Sequence, residues 1–122
     1  MADVVSSNPA LIKSTVVGTV LQLIMVVAGH YSPAISTQFA AGGMAISGIA
    51  GLLFSLWSGP KPAVGAAGGG LAAGGISAFL GILVSHFLGD VPTSVLAFGT
   101  AGSAIAGAIG GLVGKMFGPK PA

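Results

Sequence analysis

Apolar residues run along the chain in four long blocks, and the polar residues are gathered between them. The blocks cover 9–29, 33–58, 63–88 and 92–117, separated by His30-Tyr31-Ser32-Pro33, by Gly-Pro-Lys-Pro-Ala at 59–63 and by Gly89-Asp90-Val91-Pro92. About 20 apolar residues, rising 1.5 Å each, cross a hydrocarbon core of about 30 Å. Each block therefore predicts a membrane-spanning helix. Asn8 and Pro9 predict the N-cap and first position of the first helix, and Ser32 and Pro33 those of the second. Residues 1–8 are left as a short interfacial segment. Lys13 is close enough to the helix start to snorkel, and Trp57 stands at a span end, where interfacial aromatics belong. The last three blocks are about 26 residues each, longer than a minimal span, which predicts tilt or interfacial extension.

Composition strengthens this reading. The 122 residues are 53% hydrophobic and only 5% charged, whereas a soluble domain carries about 25% charged residues. Such a chain cannot cover a water-facing surface. Its net charge of +2, from four Lys and two Asp, supplies no basic patch for nucleic acid. There is no cysteine, hence neither a disulfide nor a thiolate metal site. The 22 glycines follow no three-residue period and lie inside the apolar blocks, where they read as helix-packing positions.

Small residues recur every four positions in three of the blocks. The ladders are Gly43, Ser47, Gly51, Ser55 and Gly59; Gly65, Gly69, Ala73, Ser77 and Gly81; and Gly102, Ala106, Gly110, Gly114 and Gly118. Four-residue spacing keeps each ladder on one helix face. A face without side chains lets two backbones approach in lipid, the small-xxx-small mode of association. In this respect the chain resembles membrane proteins with glycine-zipper helices.

Two of these ladders belong to a repeat. Aligning 39–63 with 98–122 gives 12 identities in 25 positions, including the pairs Gly48/Gly107 and Gly51/Gly110 and the whole of Gly-Pro-Lys-Pro-Ala. Upstream the match fades, although His30-Tyr31 falls on His86-Phe87. The expected architecture is an all-α integral membrane four-helix bundle made of two parallel-repeat hairpins, residues 9–63 and 64–122. Lys13, Lys61, Lys115 and Lys120 fall on the side of the termini and the middle loop. The positive-inside rule makes that side cytoplasmic, in what reads as a bacterial inner membrane. The first block also has the length of a cleaved leader, but its pairing with the third block argues for a retained helix.

Candidate chemistry is sparse. His30 and His86 each end the first helix of a unit and precede an aromatic. Imidazole is the commonest metal ligand, so the pair could hold a metal or porphyrin. Only Asp90 stands near to complete a metal shell, which favours two interfacial histidines and no cofactor. Gln22 shares a face with Thr15, Gly18, Met25 and Gly29 and reads as a hydrogen bond to a neighbouring helix. No block carries a central Asp, Glu, Arg or Lys, the groups that pumps and ion-coupled transporters need. Gly68–Gly70 and Gly74-Gly75 lack the Gly-Lys-Ser/Thr ending of a phosphate loop.

The sequence thus predicts no catalytic residue. It points to a non-catalytic membrane protein that works through helix packing, as a self-associating scaffold or homo-oligomer, or as an accessory subunit of a larger membrane complex. A pore for a small neutral solute between the repeats is the alternative, and a cofactor-holding subunit using His30 and His86 a weaker one.

Overall fold

The structure, a computed structural model, describes residues 2–118, with side chains from residue 9 onward. The second copy of Gly-Pro-Lys-Pro-Ala, with Lys120, therefore lies outside the described residues beyond Gly118. The described residues form five helices: α1 (Ala2–Tyr31), the four-residue α2 (Pro33–Ser36), α3 (Phe39–Trp57), α4 (Ala63–Phe87) and α5 (Thr93–Phe117). Four of them are long and apolar enough to span a membrane: Pro9–Tyr31, Phe39–Trp57, Ala63–Phe87 and Thr93–Phe117. By composition this is a multi-pass integral membrane protein, its four long helices packed as one bundle.

Two expected boundaries are corrected. Asn8 does not start a helix, because α1 begins at Ala2 and Pro9 lies inside it. Proline removes one helical N–H and crowds the preceding turn, and here that cost falls before the apolar span begins. The second block is not one helix from 33 to 58. It breaks at Thr37-Gln38, so the span α3 has only 19 residues, close to one hydrocarbon thickness without tilt. Two hydroxyls accompany the break: Ser36 Oγ donates to Pro33 O at 3.0 Å and Thr37 Oγ1 to Ala34 O at 2.9 Å. Such local bonds compete with the helical ladder. Ser32 is the N-cap of α2 by position, with Pro33 following, but its side chain makes no capping bond.

The bundle is small inside and large outside. Its buried apolar residues are Ala10, Val26, Ala50, Phe54, Ala66, Ala73 and Ala78, so Phe54 is the one large apolar side chain in the core among the described residues. Ile12, Val16, Val20, Ile24 and Val27 form an exposed stripe along α1, with Ile12 at 65% and Ile24 at 61%. Phe98, Ile105 and Ile109 do the same on α5. Lipid tails are as apolar as these side chains, so little is gained by burying them against one another. Close backbone packing of small residues decides what goes inside.

The contact between α3 and α5 is reciprocal. A methyl group at Gly51 would collide with Gly107 O, and one at Gly110, aligned with Gly51 in the sequence, would collide with Gly48 O, Gly48 being aligned with Gly107. One turn further, Ser55 Oγ donates to Gly111 O at 2.6 Å, while the space above Gly114 is filled by Leu52 O, 2.6 Å from its Cβ position. Helix α4 then fits against both. Gly70 and Gly74 meet Gly107 and Gly111 on α5, and the Cβ position of Gly74 is also 2.9 Å from Ser47 O on α3. Helix α1 lies on the α3–α4 side, where Gly18 would place a Cβ 2.9 Å from both Ala50 Cβ and Ser77 Oγ. Helices α1 and α5 are not packed together.

Candidate functional site

The buried polar groups are held mainly by backbone carbonyls. Gln22, 1% exposed, donates from Nε2 to Gly43 O at 3.0 Å and to Ser47 Oγ at 3.2 Å. Ser47 Oγ in turn donates to Gly74 O at 3.1 Å. These bonds join α1, α3 and α4 near the middle of the bundle. Ser47→Ala breaks two of them, and interhelical bonds in membranes average about 0.6 kcal/mol each. The expected loss is about 1 kcal/mol, read as an earlier unfolding midpoint when SDS is titrated into mild detergent. The same change at half-buried Ser36, outside this network, should leave the midpoint in place.

At the end of the bundle where α1 and α4 finish, the turn after α4 places an acid beside a base. Gly89, at φ +82, takes the left-handed conformation that glycine adopts without strain. Gly89 N–H then donates to His86 O at 2.9 Å and Asp90 N–H to Ser85 O at 3.0 Å, the two bonds of a Schellman ending. The turn carries Asp90 to His30, whose Nδ1 lies 2.8 Å from Asp90 Oδ2. His86 Nδ1–H donates to Val91 O at 2.9 Å, and a carbonyl can only accept, so this proton sits on Nδ1. The two histidines thus occupy one end of the bundle with separate partners. Among the described residues no three His, Asp or Glu side chains gather around a common point.

Beside these groups lies a cavity of about 630 Å³, reaching from the α4–α5 turn down to Gln22. It occupies the space that separates α1 from α5, with α3 and α4 completing the wall. Toward this end α3 and α5 diverge: the Cβ position of Gly102 finds only Met44 Cε, at 3.9 Å. Met25, Val26, Phe39, Met44, Ile82 and Phe98 make most of the wall apolar. Gln22, Ser85 and Ser103 supply the buried polar lining. Ser85 is 1% exposed, and its Oγ has no hydrogen-bond partner.

The small-residue ladders are distributed unevenly. Gly43, Ser47, Gly51 and Ser55 are buried, whereas Gly59 lies beyond α3 with open space at its Cβ position. Ala73, Ser77 and Gly81 are buried on α4, but Gly65 meets only Lys61 and Gly69 lies against the Phe54 ring. On α5, Gly110 and Gly114 are buried against α3, while Gly102 and Ala106 are half-buried. Gly118 approaches Ser55 O at 3.3 Å. On α1 the buried line is Ala10, Ser14, Gly18, Gln22 and Val26, leaving Thr15 and Met25 half-buried.

Several contact residues escaped the ladders. Gly70, Gly74, Gly107 and Gly111 form the α4–α5 contact, and their own four-residue spacing was the available signal. Ser85 and the cavity had none, because they depend on how α1 and α5 stand apart. Comparison with protein-family models, curated proteins and solved structures finds no match to this chain.

Proposed function

We propose that this chain is a non-catalytic, four-span membrane protein that acts through helix packing, as an accessory subunit of a larger membrane complex or as a self-associating scaffold. The observation that carries this reading is the bundle interior. It is built largely from Gly, Ala and Ser in backbone contact, and the His30–Asp90 hydrogen bond lies at one end. The outer α1 stripe from Ile12 to Val27 supplies an apolar face for lipid or a partner helix. Reciprocity between α3 and α5 supports a bundle of two repeated hairpins with glycine-zipper faces. The position of Lys13, Lys61 and Lys115 supports cytoplasmic termini in an inner membrane.

The pore alternative has less support. An axis relating the repeats runs where α3 and α5 touch, and their backbones close it. A native mass measurement in mild detergent, paired with solute flux in reconstituted vesicles, tests the choice. The packing reading expects a discrete assembly, with itself or a stoichiometric partner, and no glycerol flux. A monomer that conducts glycerol would overturn it.

A further inference from the structure

We propose that the cavity between α1 and α5 binds a neutral long-chain alcohol, its hydroxyl held by Gln22 and Ser85 and its chain against the apolar wall. At about 630 Å³ the cavity falls within the range of small-molecule sites. Its wall has the composition of such sites too, mainly apolar with a few converging polar groups.

Two polar atoms identify the head group. Ser85 Oγ is buried in the cavity wall without a partner, a state that costs stability unless something fills the bond. Gln22 commits its amide nitrogen to Gly43 and Ser47, which leaves Oε1 as an acceptor. Gln22 packs on Gly81, whose Cβ position lies 2.7 Å from Gln22 Cβ. Ser85 follows Gly81 by one helical turn, about 6 Å along α4. A ligand hydroxyl can donate to Gln22 Oε1 and accept from Ser85 Oγ–H. A carbonyl or ether could only accept, leaving Gln22 without a donor.

Charge excludes the related ionic amphiphiles. Among the described residues no Lys or His lines the cavity to hold a carboxylate or phosphate. Asp90, its one acidic residue, is engaged by His30. A neutral alcohol meets both conditions.

A diazirine analogue of farnesol, photolysed with the purified protein in detergent, tests this. Mass spectrometry should find adducts on Met25, Val26, Phe39 and Ile82, suppressed by excess farnesol. Gly102→Leu fills the cavity from a position with open space and should reduce those adducts at least about tenfold, close packing leaving no room for the ligand. Ser85→Ala, which removes an unsatisfied hydroxyl and should fold at least as well, should weaken competition by farnesol about 3–10-fold, the worth of one neutral hydrogen bond. It should leave competition by farnesene, the hydrocarbon counterpart, unchanged. Adducts confined to outward residues such as Val20 and Ile109 would show partition into the detergent only and overturn the site. Equal effects of Ser85→Ala on farnesol and farnesene would overturn the assignment of an alcohol, even if Gly102→Leu failed to fold.

Discussion

A single methyl group at Gly51 or Gly110 should be enough to separate α3 from α5. Each added Cβ would collide with a backbone carbonyl of the facing helix, Gly107 O or Gly48 O. No rotamer change relieves a clash with backbone, so the helices must move apart. Overpacking costs typically 1–3 kcal/mol, and in lipid the lost contact is itself the driving force for association. Gly51→Ala and Gly110→Ala should each cost about 2 kcal/mol, and the leucine variants about 3 kcal/mol or more. SDS titration followed by circular dichroism measures both. Two controls isolate the cause. Gly68 has nothing within 4 Å of its Cβ position, so Gly68→Ala should be neutral or stabilising through helix propensity. Ile109, adjacent to Gly110 but 57% exposed, should accept leucine without change. Because Gly51 and Gly110 share one crossing, the double alanine variant should cost less than the sum of the singles. Unchanged midpoints for both glycine variants would remove the packing account.

The second large effect concerns orientation. Tyr31 and Thr93 lie at the end of the bundle that holds His30 and Asp90, while Pro60 lies at the end with Lys13, Lys61 and Lys115. All three positions are exposed. In intact cells a membrane-impermeant thiol reagent should label Tyr31→Cys and Thr93→Cys, and reach Pro60→Cys only after the membrane is opened. The native chain contains no cysteine, so each signal comes from one site. Labelling of Pro60→Cys alone in intact cells would reverse the orientation.

How much of this was legible follows from what is local. Four apolar blocks with Gly, Pro, His and Asp between them marked four long helices, because span length and turn residues are read along the chain. The break at Thr37-Gln38 was hidden by Pro33, a strong start signal that says nothing about where its helix stops. Asn8-Pro9 misled for a related reason: cap-forming residues also occur within helices, and here α1 continues through them. Small residues cover more than one face of α4 and α5, so spacing alone could not say whether Gly110 or Gly111 faces α3. The answer is Gly110 toward α3 and Gly111 toward α4. The packing is also unequal in a way no local pattern shows: α3 meets α4, while α1 and α5 stand apart on either side of the cavity.

The bond from Ser55 to Gly111 spans 56 positions of chain, and this bears on the order in which the protein is made. Helix α3 emerges from the ribosome before α4 and α5 exist. Its Gly48–Ser55 face then has no partner of its own chain, and acyl chains cover it until the second half arrives. Each helix can insert alone, since its backbone is satisfied internally, and α3 can meet α1 early, but its Gly48–Ser55 face reaches α5 only after α5 is complete. The first two spans are therefore in place before the packing of α3 is complete.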